Sequence, residues 1–515
     1  MTDPFNAAVY LTERRIAAGD GARVAVHHPG GSLTYAELTD EVRRVAAGLL
    51  AIGVRPEERV LMCMVDDVEL VTAVLATMYV GAVAVPSSTM LTGPELGKLV
   101  VDSRARVVLG SAEFAASVLG ATADAPDVRH VVLTGDTAPD APGGMTWAQL
   151  CDTEPLAAAY PTWDESPALW LYTSGTTGTP KGAMHRHTDI RFVCETYGTQ
   201  VLGVTRDDVC LSGAKLFFAY GIGNSLFFPF SVGAASVLVP TRPNPAHFAD
   251  LAERHGVTLF FGGPSFWGPL MAADLPKERF STVRNGVSAG EALPARMFHG
   301  VRDQYGFEIL DGIGSTEALH IFISNVPGKV VPGSSGYPVP GYRVELRRPD
   351  GSVIDGVDEP GMLYIAGESI CTGYWCRTEV NRAVFQGEWM RTGDQYVRAA
   401  DGSYSCLGRA DDVLKVGGIW VSPAEVEARL MEHPGLAEAV VIGVPDADGL
   451  DKPVAYVVPR AGTHVDPDEV IAFCRAGLAS FKRPRLVVEV SELPRTATGK
   501  IQRFRLRELA AGTIV

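Results

Sequence analysis

The chain has 515 residues, 46% of them hydrophobic and 20% charged, with a formal net charge of −15. That length exceeds a single hydrophobic core and implies roughly two to four domains or subdomains. The composition is that of a globular chain rather than a disordered one, and the acidity argues against a dedicated nucleic-acid binder, which needs a basic face. The N-terminus carries Asp3 and no long apolar core, so it does not read as a secretory signal. No uninterrupted apolar run approaches the ~20 residues that cross a bilayer, and a soluble, cytoplasmic protein without a membrane partner is expected. The eight cysteines show no CxxC pair; Cys371 and Cys376 lack the second pair a zinc site needs, so reduced, mostly buried thiols are expected.

In chain order, short apolar strands alternate with helices as far as residue ~400. RVLMCMV (59–65) precedes a helical VELVTAVLATMYVGA; ARVVLGS and HVVLTGD follow, and VTLFFGGPS (257–265) and GFEILDGIGSTE (306–317) continue the pattern. Such alternation predicts a parallel sheet wrapped by helices. From about 327 to 408 Gly, Pro and short strands dominate, which predicts a small β-rich unit of hairpins, with Asp350-Gly351 and Asp401-Gly402 as turns. After Arg409 the alternation restarts. Ser422-Pro423-Ala424-Glu425 predicts a helix start with Ser at the N-cap and Glu at N3, and Val426 and Leu430 share its apolar face. Strands AVVIGV and PVAYVVP and helix DEVIAFCRAGL complete a small α+β domain. The expected class is α/β: a large N-terminal domain of helix-wrapped sheets with a small β-rich subdomain (residues 1–410), then a small mobile α+β domain (411–515).

The strongest chemical signal is the string from Leu171 to Gly182. It leaves the apolar run ALWLY and packs five Ser/Thr hydroxyls, three glycines and Lys181 into twelve residues. Glycines let backbone N–H groups approach an anion, and the hydroxyls and lysine add donors and charge. A Walker A loop is excluded, because Pro180 precedes the lysine and Gly182 follows it. A polar surface turn is a poor match for so dense a string.

This string resembles the signature loop of the adenylate-forming superfamily, which includes acyl- and aryl-CoA ligases, luciferases and peptide-synthetase adenylation domains. The resemblance covers nearly the whole chain, with six motifs in the expected order. It implies that Thr173, Ser174, Gly175, Thr176, Thr177, Gly178 and Lys181 bind the ATP phosphates. Asp311-Gly312-Ile313-Gly314-Ser315-Thr316-Glu317 is similar to the second nucleotide motif, in which Thr316 contacts the α-phosphate and Glu317 helps hold Mg²⁺. A hard carboxylate oxygen suits that ion. Ala289-Gly290-Glu291 resembles the adenine-contacting segment, although many members place an aromatic residue where this chain has Ile313. Arg391-Thr392-Gly393-Asp394 resembles the ribose motif, and Arg409 serves the ribose side with Asp394. Asp411 matches the hinge about which the C-terminal domain swivels. Gly417 and Gly418 match the strand lining the pantetheine tunnel. Lys500, in the segment Pro494–Ile501, matches the lysine that bridges substrate carboxylate and α-phosphate.

The segment Lys215–Asn224, with GIGSTEALHIFISN, resembles benzoate-type CoA ligases more than fatty-acyl ones. On that resemblance Phe218 gates the acyl pocket, and Ala219, Tyr220, Phe228, Ile313, Gly314 and His320 line it; an aromatic wall suits a planar ring. Phe217 and Phe227 read as core. The aspartate that amino-acid-activating domains place in this pocket has no counterpart here. His185 and His187 lack a third ligand and are read as structural, or as acting through neighbouring groups. The implied reaction consumes ATP with Mg²⁺ and joins a small aromatic acid to coenzyme A through an acyl-adenylate. The alternative is a stand-alone adenylating enzyme that loads a separate carrier protein.

Overall fold

The runs Val83–Pro86 and Val107–Gly110 are buried at every position, as a strand covered on both faces requires. The computed structural model describes residues 4–174, 180–409, 414–416, 419–445, 451–480, 482–495 and 501–511. Among the described residues these runs belong to a seven-stranded sheet. Its order is Met145–Thr146, His130–Leu133, Val107–Gly110, Arg59–Cys63, Val83–Pro86, Pro167–Ser174 and Pro180–Arg186. All pairings are parallel except the last, in which Pro167–Ser174 turns back onto Pro180–Arg186.

A nine-stranded sheet has the order Tyr337–Pro338, Ile321–Ser324, Glu308–Gly314, Asn285–Ser288, Leu259–Gly262, Val209–Ser212, Ala235–Val237, Val24–His28 and Gly31–Thr34. Its centre is parallel and both ends are antiparallel. The expected helix-wrapped parallel sheet is thus two sheets, each edged by a hairpin partner. Each hairpin carries one of the two motifs expected to bind the nucleotide.

Helices cover these sheets through apolar faces. In Tyr35–Ala51, Leu38, Val42, Val45 and Leu49 are buried on one side, and Thr34 and Glu37 close the N-terminus with a reciprocal capping box. Helix Gly93–Ser103 packs Leu96, Leu99 and Val100 against Leu61, Val85 and Val108 of the first sheet. On the second, Phe260 and Ile309 meet Phe248, Trp267, Phe298 and Tyr305 from the flanking helices. Each such buried side chain contributes about 1.5–3 kcal/mol over exposure.

The chain forms two compact units, residues 1–343 with 366–390, and residues 344–365 with 391–515. In the second, the predicted turns form as expected. Gly351 and Gly402 take left-handed φ values of 87° and 84°, and Asp350 and Asp401 accept from the Ser352 and Ser403 amides at 2.9 Å. Strands Leu436–Pro445, Asp451–Pro459 and Leu486–Glu489 make a three-stranded sheet, covered by helices Pro423–Leu430 and Pro467–Arg475. Val426 and Leu430 are buried as predicted. The helix starts where predicted, with Ser422 at the N-cap, though Ser422 makes no side-chain cap bond and Glu425 pairs with Lys482 Nζ at 2.6 Å.

Candidate active site

The strand Pro167–Ser174 leads into the phosphate loop and Pro180–Arg186 leaves it, with Thr173 directly opposite Lys181. The hairpin therefore fixes both ends of the loop. Gly175, Thr176, Thr177 and Gly178 lie outside the described residues. The exit is anchored by Arg377, which donates to the Pro180 carbonyl at 3.3 Å and pairs with Asp102 at 2.6 Å. Asp102 also accepts from the Tyr172 hydroxyl at 2.8 Å.

The second nucleotide motif sits on the hairpin of Glu308–Gly314 with Ile321–Ser324. Gly312 and Gly314 are needed for close approach: a Cβ there would lie 2.8 Å from the Ile323 carbonyl oxygen and 2.6 Å from that of His320. Ser315 then caps a short turn, Thr316–Ala318, by accepting from the Ala318 amide at 3.2 Å. Three donors hold the three successive carbonyls of this turn. His185 Nε2 donates to Thr316 at 2.8 Å, the Cys371 amide to Glu317 at 2.8 Å, and Ser369 Oγ to Ala318 at 2.9 Å. Leu319 follows with a φ of 67°, a left-handed conformation that survives only when its surroundings impose it.

His185 and Asp189 are fully buried, with Nδ1 3.1 Å from Asp189 Oδ2. Asp189 also pairs with Arg186 at 2.9 Å. His185 is thus a link from a buried ion cluster to the Thr316 carbonyl, in keeping with a residue that acts through its neighbours. His187 has a structural place: its Nδ1 accepts from the Ala7 amide at 3.0 Å, and burial pushes its imidazole down to about 3.

Tyr374, which the sequence reading left unassigned, completes the constellation. Its hydroxyl donates to Glu317 Oε1 at 2.6 Å, and Lys181 Nζ stands 4.9 Å from its ring centroid, within cation–π range. Glu317, Lys181 and Tyr374 therefore stand together. Among the described residues no cluster of three or more His, Cys, Asp or Glu could hold a metal ion by itself. A lone carboxylate beside a phosphate-binding loop fits Mg²⁺, which is commonly held by one or two carboxylates together with substrate phosphates.

The proposed adenine segment follows strand Asn285–Ser288, whose Ser288 lies opposite Asp311. Ala289 is buried, Gly290 has a φ of 92°, and Glu291 is exposed. Asp311 is buried, and desolvation pushes its carboxyl up to about 8. In the second unit, Asp394 lies opposite Arg409 across an antiparallel pair, and Arg409 Nη1 reaches Asp394 Oδ1 at 3.1 Å. Asp411, Gly417, Gly418 and Lys500 lie outside the described residues.

Of the acyl-pocket residues, Tyr220, Phe228 and His320 come together. The His320 ring centroid lies 4.5 Å from Phe228, edge-on, and 5.6 Å from Tyr220. Its Nε2 donates toward the Tyr220 carbonyl at 3.3 Å and Asn224 Oδ1 at 3.1 Å, and burial pushes its imidazole down to about 3. The Tyr220 hydroxyl donates to the Val287 carbonyl at 2.9 Å. Phe218 stacks edge-on with Phe217 at 4.6 Å, and Ala219 starts the helix after it. Phe217 and Phe227 are core, as expected. Ile313 pairs with Ile323, and Gly314 with Ile321, on the motif hairpin. Two further members of the cluster were given no role from the sequence: Tyr197, 5.1 Å from His320 between ring centroids, lies in no motif, and the fully buried Asn224 closes the segment Lys215–Asn224; tertiary packing brings both to His320.

Comparison with known proteins matches residues 13–375 to the AMP-binding enzyme family and residues 425–500 to the AMP-binding enzyme C-terminal domain. The chain is 41% identical to a 4-hydroxybenzoate–CoA/benzoate–CoA ligase of Rhodopseudomonas palustris, covering 99% of this chain and 95% of that protein. It is likewise 41% identical to a benzoate–CoA ligase of Thauera aromatica, over 98% and 96% of the two chains. Among solved structures, an anthranilate CoA ligase in complex with anthranoyl-AMP superposes with a TM-score of 0.93 at 36% identity, over 100% of this chain and 98% of that one. Among the described residues no helix is long and apolar enough to cross a membrane.

Proposed function

Because the chain belongs to the family of AMP-binding enzymes, we propose that it uses ATP to join a small aromatic carboxylic acid of the benzoate type to coenzyme A through an acyl-adenylate. The observation that carries this reading is the turn Thr316–Ala318. It sets Glu317 against Tyr374, whose ring faces Lys181, and the aromatic cluster of His320 begins two residues beyond it. The nucleotide motif and an aromatic cluster are thereby adjacent. The benzoate and hydroxybenzoate named for the relatives support the aromatic class.

The substrate carboxylate attacks the α-phosphorus in line; the new acyl–phosphate bond forms as pyrophosphate leaves, a displacement governed by positioning and charge. Thr316 contacts the α-phosphate, and Lys181 with the loop hydroxyls holds the outer phosphates. Glu317 would hold Mg²⁺, which neutralises phosphate charge when bound. Asp394 and Arg409 take the ribose hydroxyls, and Ala289, Gly290, Glu291 and Asp311–Ile313 take the adenine. Lys500 stabilises the charge building on the non-bridging oxygens, a contact whose removal costs roughly 3–4 kcal/mol. Residues 411–515 then swivel about Asp411, replacing Lys500 with Gly417 and Gly418. The CoA thiol attacks the acyl carbon, and AMP departs.

The test is pyrophosphate release with MgATP across aryl, short-chain and long-chain acids, with and without CoA. Turnover that peaks on small aryl acids and depends on CoA is the expected result. Adenylate formation indifferent to CoA would point to a carrier protein as acceptor, and no release on any acid would overturn the reading.

A further inference from the structure

We infer that Tyr374 is a positioning residue that aligns the metal-holding carboxylate of Glu317 with the phosphate-binding Lys181. The inference rests on the reading of Glu317 as the residue that holds Mg²⁺. Three features carry it. The phenol donates to Glu317 Oε1 at 2.6 Å, a charge-assisted bond that fixes the carboxylate rotamer and leaves Oε2 for an ion. The same ring lies beneath Lys181 Nζ, so one side chain sets the spacing of the anionic and the cationic partner.

Tyr374 is itself immobilised. It is only 4% exposed. Its amide donates to Asn381 Oδ1 at 2.8 Å, and its carbonyl accepts from Asn381 Nδ2 at 2.9 Å. Its neighbours bond to the strand that carries Lys181: the Trp375 amide to the Gly182 carbonyl at 2.9 Å, and the Met184 amide to the Gly373 carbonyl at 3.0 Å. Ala183 and Tyr374 form an antiparallel bridge. The backbone of Glu317 is tied to the same segment through the Cys371 amide. Carboxylate, phenol and lysine are thus tied to one segment, and groups that orient a metal ligand in this way commonly set its affinity by about 10- to 100-fold.

The test compares Tyr374→Phe, Tyr374→Leu and Glu317→Gln in the full-length protein. The readouts are Mn²⁺ binding with a non-hydrolysable ATP analogue, followed by the electron paramagnetic resonance of free Mn²⁺, and separate KM values for MgATP and for the acid. Tyr374→Phe keeps the ring and removes one oxygen. It is expected to weaken Mn²⁺ binding and raise the KM for MgATP by about tenfold, while the KM for the acid stays within about twofold. Tyr374→Leu also removes the surface beneath Lys181 and is expected to weaken metal-free analogue binding a further ~3-fold. If Glu317→Gln weakens Mn²⁺ binding and Tyr374→Phe does not, the positioning role is overturned while the reading of Glu317 stands. If Glu317→Gln leaves Mn²⁺ binding unchanged, the reading of Glu317 fails and this inference with it.

Discussion

The turn Thr316–Ala318 and the aromatic cluster at His320 are separated by one residue and are built in opposite ways. The turn is held by polar donors from distant segments, at least one to each carbonyl. The cluster is held by ring contacts among His320, Phe228, Tyr220 and Tyr197, with only two hydrogen bonds on the imidazole. Hydrogen bonds fix distance and angle narrowly, whereas ring packing accepts volume-conserving exchange. On the proposed function, the chemistry common to all substrates belongs on the turn, and the choice of acid on the cluster.

The largest effect that could break this contrast is expected from His185→Leu. The change removes the donor to the Thr316 carbonyl and strips a buried partner from Asp189. Equilibrium urea unfolding should show a loss of about 3 kcal/mol. The kcat/KM for ATP should fall by about 10- to 100-fold, with the ranking of acids preserved. ATP kinetics that stay normal would mean the turn does not depend on its polar supports.

A smaller effect is expected from His320→Gln, which keeps a donor toward the Tyr220 carbonyl. Selectivity among ring-substituted acids should move by about tenfold while the KM for ATP is unchanged. The same variant tests a pH effect. The folded-state imidazole sits at about 3, below its ordinary value of 6.5. The unfolded chain therefore binds the extra proton between those values, and stability is lost as pH falls below 6.5. At pH 5 the loss from this histidine amounts to about 2 kcal/mol, so thermal melts of the variant should depend less steeply on acid than those of the parent. Equal slopes would contradict a buried neutral His320.

Much of this was legible in the sequence, for identifiable reasons. Fully buried strands such as Val107–Gly110 announce themselves as β-branched runs. The glycines of Gly312-Ile313-Gly314 are dictated by backbones that pass within a side chain's reach. Ser422–Glu425 was legible as a helix start, but the partner of Glu425 was not, because Lys482 lies far away in sequence. Likewise His185, Tyr374, Tyr197 and Asn224 act across separations of 131, 57, 123 and 96 residues from their partners Thr316, Glu317 and His320. Local pattern carries no signal for such pairings. Along the aromatic stripe Phe217–Phe230, Phe227 and Phe228 are both fully buried, and it is the ring contact of Phe228 with His320 that sets it apart.

The most direct test of the account is to trap the intermediate. The protein is incubated with benzoate and MgATP in the absence of CoA, quenched, and the products are identified by mass spectrometry; CoA is then added to a parallel sample. The account predicts benzoyl-AMP in the first sample and its conversion to benzoyl-CoA and AMP in the second. Benzoyl-CoA formed with ADP and phosphate, or no acyl-adenylate from any aryl acid, would contradict it.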